Sequence, residues 1–219
     1  MGVNMFKEKT GGVSFYVENN IGYIKLTNPI ANKMNDEFFL ELSEIVEMLD
    51  KSENVDKLYG IIVSGEGKHF SAGAEVERLQ EMMVEVKSSN KEIFSLLPEG
   101  HIRDKRTFMK LGKLPVPVVA VIRGFCIGSG MELALACNVR IAEKKAKVGF
   151  PESTFGFFPA LAGNVRTFEI SGLQNAINMV FSGDIYKAYQ LEDTGLFDYL
   201  VGKNEGMDLA VKLIKNGDV

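Results

Sequence analysis

The chain has 219 residues, with 25 Lys and Arg against 29 Asp and Glu and a formal net charge of −4. That balance argues against a general nucleic-acid binder, and 46% apolar with 25% charged residues is the composition of a folded globular chain, not a disordered one. No apolar run approaches the roughly 20 residues needed to cross a bilayer, so a membrane protein is not expected. The length suits one domain over 1–219 with its core at about 13–201. The first residues, MGVNMFKEKTGG, lack the apolar segment of a secretory signal. Cys126 and Cys137 lie in an apolar stretch and read as buried, reduced thiols, so a cytoplasmic setting is expected. His69 and His101 are far apart and lack metal-ligand spacing, so no metal site is expected.

Taken in order, Val13–Glu18 and Ile21–Thr27 read as strands joined by Asn19-Asn20, a hairpin signal. Residues 29–35 form a loop. Residues 36–51 carry Phe38, Phe39, Leu42, Ile45, Val46 and Leu49 at helical spacing, one buried face of an amphipathic helix. Leu58–Ser64 is a buried strand, followed by a turn into His69–Glu75. Residues 76–87 read as helix, and 87–100 as a mobile segment beside a site or an ordinary surface connection. Thr107–Leu114 looks helical and stops before Pro115. Val118–Ile122 is a buried strand, Gly124–Gly130 a glycine-punctuated turn and Met131–Cys137 a helix. Val139–Ala142 and Lys147–Gly149 are short strands, and Pro151-Glu152-Ser153 opens a turn. Helices are expected at Leu161–Ile170 and Gln174–Phe181, a strand at Leu196–Val201 and a helix at Glu205–Ile214. Strands alternating with helices imply an α/β architecture with a largely parallel sheet.

The stretch from Val116 to Arg140 is the most informative. The first amides of a helix lack internal partners and sit at the positive end of its dipole, so Gly128, Ser129 and Gly130 offer donors to an anion. Glu132, one turn in, sets a carboxylate beside them. The plain alternative is a tight strand-to-helix connection with an acid capping the dipole. Neighbouring motifs are absent. Leu133 stands where a dinucleotide fingerprint needs Gly, Ile127 stands where a nucleophile elbow on Ser129 needs Gly, and no Walker signature occurs.

Ser71–Glu75 after one buried strand and Gly128–Glu132 after another share a design, each ending in small residues at a helix start. Two amides from separate loops aimed at one oxygen would make an oxyanion hole. A second acid, Glu152, lies 20 residues after Glu132. With Asn28–Asn35 (NPIANKMN), His69–Leu79 (HFSAGAEVERL), Gly124–Ala142 (GFCIGSGMELALACNVRIA) and Val148–Pro159 (VGFPESTFGFFP), the chain resembles the enoyl-CoA hydratase/isomerase (crotonase) superfamily over nearly its whole length.

That resemblance implies an α/β crotonase-like ββα superhelix, here with a shortened C-terminal helical region. It implies that the amides of Ala74 and Ser129 hold a thioester oxygen as it becomes an enolate, and that Glu132 and Glu152 hold a water between them as acid and base. Lys33, Met34, Ala72, Gly73 and Gly128 would contact the CoA thioester, with a solvated surface role the alternative for Lys33. Glu75 is read as a structural cap. No cofactor is implied beyond the acyl-CoA or carrier-bound substrate. Partners would be acyl-CoA, a possible acyl carrier protein, and further copies in a homotrimer or hexamer weakened by the short C-terminus. Ser129 replaces a frequent Gly and Asn138 a frequent Asp. Phe155, Phe157 and Phe158 are read as core, with the acyl pocket as the alternative. The activity implied is syn hydration of a 2-enoyl thioester. The alternatives are dehydration, decarboxylation or isomerisation of a CoA- or carrier-bound biosynthetic thioester, as in fatty acid or polyketide chemistry, and a non-catalytic partner subunit.

Overall fold

The computed structural model describes residues 11–53, 55–75, 84 and 99–219. Strands β1 (Val13–Glu18) and β2 (Ile21–Leu26) pair antiparallel, Val13 opposite Leu26 and Glu18 opposite Ile21. Asn19 and Asn20 turn the hairpin at φ 50° and 60°, left-handed backbone that Asn tolerates better than most residues. Helix α1 (Asp36–Asp50) begins where Asn35 Oδ1 accepts the Phe38 amide at 2.9 Å, and its first turn carries Asp36 and Glu37, the favourable end for acids. Strand β3 (Gly60–Gly65) follows, then α2 (Glu99–Leu111) and β4 (Val118–Ile122).

Helix α2 starts well before Thr107, where the apolar pattern places it. The reason is that its buried face is partly polar: His101, Asp104 and Thr107 sit inside with Phe108 and Leu111, so hydrophobic spacing understates the element. The expected helix at 76–87 lies outside the described residues, as does the expected 87–100 connection up to the start of α2.

The glycine-punctuated turn after β4 contains a short strand, β5 (Phe125–Ile127), and helix α3 begins at once (Ser129–Ala136). Then come β6 (Val139–Glu143), β7 (Lys147–Gly149) and a tight 3-10 turn over Pro151–Phe155. The two helices expected between 161 and 181 are both present, run together over Gly163–Ser182 (α4) and parted by the non-helical backbone of Gly172 at φ 81° and ψ 169°. Strand β8 (Ile185–Lys187), a 3-10 stretch over Ala188–Thr194, β9 (Tyr199–Val201) and α5 (Gly206–Asn216) complete the chain. β9 is shorter than the apolar run Leu196–Val201, because Leu196 and Phe197 are buried by packing ahead of the ladder.

The main sheet runs β1-β2-β3-β4-β6-β9, parallel from β2 onwards. A smaller sheet, β5-β7-β8, stands beside it. Side chains alternate across the main sheet, as the period of two requires. Val118, Ala120 and Ile122 join Ile61 and Val63 in the core shared with α1, α2 and α3, whereas Val119 and Val121 join Ile62 and Ile141 beneath Ala210, Leu213 and Ile214 of α5. Strands covered on both faces read as continuous apolar runs, and β4 is one. Both cysteines are buried and unpaired with each other. Among the described residues no helix is long and apolar enough to cross a membrane.

Candidate active site

The chain leaves the carboxyl ends of β3 and β4 into two loops, the edge of a parallel sheet where ligands of open α/β folds bind. The loops are sewn together. The Ser71 amide donates to the Phe125 carbonyl at 2.9 Å, and the Ile127 amide returns to the Ser71 carbonyl at 3.1 Å. On its other side the first loop pairs with the segment before α1: the Met34 amide donates to Gly73 at 2.9 Å and the Ala72 amide to Ala31 at 2.9 Å.

That segment takes a strained turn. Ile30, Ala31 and Asn32 have φ of 59°, 64° and 53°, backbone that costs non-glycine residues energy unless the surroundings over-determine it. Asn32 supplies the constraint. Its buried Nδ2 donates to the carbonyls of Glu66, His69 and Phe70 at 3.1, 2.9 and 3.1 Å, and its own carbonyl accepts the Ser71 hydroxyl at 2.7 Å.

The two loops meet at Gly73, which has a φ of 83°. A Cβ there would stand 2.6 Å from the Ile127 carbonyl oxygen and 3.3 Å from the Ser129 nitrogen, so only glycine lets the loops close. Among the described residues neither the Ala74 nor the Ser129 amide has a protein acceptor. Ser129 is the first residue of α3, so its free N–H is an inherent feature of the helix start.

Ala74 and Ser129 line a cavity of about 130 Å³, and Glu132 and Glu152 line the same cavity. Glu132 is 1% exposed, and its Oε1 accepts the Leu161 amide at 2.7 Å and the Gly163 amide at 2.9 Å. Burial pushes its carboxyl up to about 7, opposed by those two amides, the Arg166 charge and the Ser129 hydroxyl. Glu152, on the 3-10 turn after β7, is pushed up to about 8, by burial first and then by the negative charge of Glu132. Among the described residues Glu152 Oε2 has no hydrogen-bond partner. A buried, orphaned carboxyl oxygen facing a cavity is a place for a polar guest.

Residues 16–216 match the enoyl-CoA hydratase/isomerase family. The chain belongs to that family. It is 33% identical over 184 residues to a probable enoyl-CoA hydratase of Bacillus subtilis, covering 84% of this chain and 67% of the relative. It is 32% identical to the fatty acid oxidation complex subunit alpha of Psychrobacter cryohalolentis, covering 86% of this chain but only 25% of that much longer protein. Its fold superposes on an enoyl-CoA hydratase from Bacillus anthracis with a TM-score of 0.77 at 26% identity, covering 94% of this chain and 76% of the other. The fold is thus the crotonase-like α/β arrangement that the hydratase/isomerase motifs imply.

Within this family member the structure gathers Ala72, Gly73, Ala74, Gly128, Ser129, Glu132 and Glu152 around one cavity. Met34 and Lys33 do not line it. The Met34 side chain is fully buried in the core, so only its backbone reaches the Gly73–Glu75 segment, and Lys33 is half-buried with its carbonyl held by Asn28 Nδ2 at 2.6 Å. The reading of Phe155, Phe157 and Phe158 as core needs correcting. None of the three is buried, and all line the cavity, because the 3-10 turn that carries Glu152 projects the following residues to the cavity mouth. Asn138 uses its side chain locally, accepting the Val118 amide at 2.8 Å and donating to the Gly112 carbonyl at 3.1 Å.

Phe39 of α1 and His101 of α2 also line the cavity, and the sequence pattern did not point to either. Phe39 sits on an ordinary amphipathic face and His101 among charged residues, so nothing local marks them. His69 stays outside: its ring stacks on Phe125 at 4.4 Å and its Nδ1 accepts the Phe125 amide at 3.0 Å.

Proposed function

We propose that this protein is a hydratase-type lyase, adding water reversibly and syn across the double bond of a 2-enoyl thioester. The observation that carries the reading is a pair of buried acids on the cavity that Ala74 and Ser129 also line, with one acid oxygen and both of those amides lacking a protein partner among the described residues. Glu132, whose Oε1 accepts two amides and whose carboxylate form the Arg166 charge favours, is the base. It takes a proton from a water held between the carboxyls, and the water oxygen bonds to the β-carbon. The electron pair of the double bond moves through the α-carbon to the thioester oxygen. The amides of Ala74 and Ser129 bind that oxygen as negative charge develops on it, where pre-aimed donors matter most. Glu152, protonated, delivers its proton to the α-carbon and re-forms the thioester. The reverse sequence expels water from the 3-hydroxy compound.

Two carboxyls whose environments keep one charged and one neutral near pH 7 are the usual means of placing acid and base side by side. The substrate expected is a CoA thioester, by kinship with the hydratases. The half-buried and exposed phenylalanines at the mouth favour a second possibility for the carrier, an acyl group delivered on a carrier protein. Hydration of crotonyl-CoA and longer 2-enoyl-CoAs, followed at the loss of the conjugated thioester absorbance, tests the activity. Glu132→Gln and Glu152→Gln are each expected to lower kcat by about 10² to 10⁴-fold. Unchanged rates in both variants would remove the acids from the mechanism. Turnover restricted to a carrier-tethered substrate would select the second carrier.

A further inference from the structure

Arg166, in the first turn of α4, is half-buried and donates from Nη1 to the Leu161 carbonyl at 2.8 Å. The amide of that same Leu161 donates to Glu132 Oε1 at 2.7 Å, and the Gly163 amide joins it on the same oxygen at 2.9 Å. Between these donors lies Ala162, a non-glycine residue at φ 75°. A turn with a residue in left-handed backbone keeps its shape only when outside contacts hold it. Arg166 provides such a contact, gripping the turn one residue before the strained position.

We propose that Arg166 is a positioning residue for Glu132, pinning the Leu161 carbonyl so that the 161 and 163 amides converge on one carboxyl oxygen. Its effect on turnover rests on the hydratase reading above, whereas its effect on the Glu132 carboxyl does not. The guanidinium adds a second influence, because its charge and the two amides all favour the carboxylate over the neutral acid. Other groups set the background. Glu152 from the 3-10 turn, Ser129 from α3 and His101 from α2 line the cavity with Glu132. Lys105 on α2, Lys113 just after it and Glu169 on α4 line the groove that holds Arg166.

The direction of the effect follows from these charges. Removing the Arg166 charge makes ionised Glu132 less favourable, so Glu132 holds its proton to higher pH. If ionised Glu132 is the base, the acid limb of activity moves to higher pH. Loosening the turn also lets the carboxyl wander, and a shift of about 1 Å at a reacting group can cost about 10²-fold in rate.

The test compares Arg166→Met, Arg166→Gln and Arg166→Lys with the unmodified protein. Three readouts are used: crotonyl-CoA hydration across pH, the melting temperature, and the titration of 13C-labelled glutamate carboxyls followed by NMR. Arg166→Met is expected to lose about 10²-fold in kcat with KM little changed. Its acid limb and its Glu132 titration midpoint both move up. Arg166→Gln keeps a donor for the Leu161 carbonyl and recovers rate more than midpoint. Arg166→Lys returns the charge and recovers midpoint more than rate. An unchanged midpoint in all three variants overturns the proposal, whatever happens to the rate, since a merely structural arginine would change stability alone. If Arg166→Met does not fold, equal midpoints in the Gln and Lys variants overturn it equally. If the unmodified protein hydrates no enoyl-CoA yet the midpoint shifts as described, Arg166 keeps its role and the hydratase reading falls.

Discussion

Glu152 Oε1 lies so close to the Gly128 Cα that a methyl group added there would stand 2.8 Å from it. Gly128 also has a φ of 55°, in the half of backbone space that L-residues with a Cβ avoid. With ψ at −127°, outside the left-handed helical region as well, Gly128→Ala is therefore expected to cost about 1–3 kcal/mol of stability from backbone strain. It is also expected to push the Glu152 carboxyl away from the cavity. The measurement is a denaturant melt paired with a kcat determination. A variant that keeps full activity would mean that the carboxyl has other room.

Ser129 offers the cavity a backbone amide while its hydroxyl acts on the Glu132 carboxyl, so the two contributions can be separated. Ser129→Gly keeps the N–H and is expected to stay within a few-fold of full activity. Ser129→Pro deletes the N–H at the first position of α3, where proline fits a helix and no helical bond is lost. Folding is expected to survive, while kcat falls by about 10² to 10³-fold, the usual cost of one missing oxyanion donor. Equal kcat for the Gly and Pro variants would remove the Ser129 amide from the chemistry.

The acid pair sets two pH dependences of opposite kinds. With Glu132 ionised above about 7 and Glu152 protonated below about 8, kcat/KM is expected to peak in a narrow window between those values. The limbs belong to the coupled pair jointly. Stability runs differently. Both carboxyls have pKa values raised above their unfolded values, so the folded state binds protons more tightly than the unfolded state. Their contribution is full below the unfolded carboxylate pKa and is lost as pH rises through about 7 and 8. Glu152→Gln is thus expected to melt higher than the unmodified protein at pH 8 and to differ little at pH 4. A melting curve at each pH decides it. A lower melting temperature for Glu152→Gln at pH 8 would contradict the buried-charge account.

Asn32 has three carbonyl acceptors and sits in the left-handed turn that pairs with the Ala72–Ala74 loop. Asn32→Ala removes the Asn32 donor from the buried Phe70 carbonyl, worth about 1–3 kcal/mol, and from the part-buried bonds to Glu66 and His69. It also releases the strain that shapes the loop carrying the Ala74 amide. The expected result is a drop in stability of at least about 2 kcal/mol, with kcat/KM reduced even where the protein remains folded. Thermal melts and kinetics at low temperature separate the two effects.

Some of this was legible in the sequence because it is local. Asn19-Asn20 fixes the hairpin turn by its tolerance of positive φ, and the apolar run Val118–Ile122 can only be a strand covered on both faces. The small residues at 72–74 and 128–130 mark close backbone approach, and Glu132 and Glu152 stand at spacings that the hydratase/isomerase motifs share. What was not legible is what depends on distant partners. Helix α2 escaped the hydrophobic pattern because its inner face carries His101, Asp104 and Thr107. Strands β5 and β8 are three residues each, too short to carry a period, and exist because they pair with β7.

The order of most strands and helices and the glycines that let two loops touch were set by residue type and near-neighbour spacing, while the pair of acids was named by the resemblance to the hydratase/isomerase motifs. Whether those acids share a cavity, how far burial lifts each carboxyl and which other side chains line it were decided only when the two sheets brought the loops after β3 and β4 and the turn after β7 together. The physical reason is range. Backbone preference acts over a few residues, whereas desolvation and the field of one carboxyl on another depend on distances through space that no sequence interval encodes.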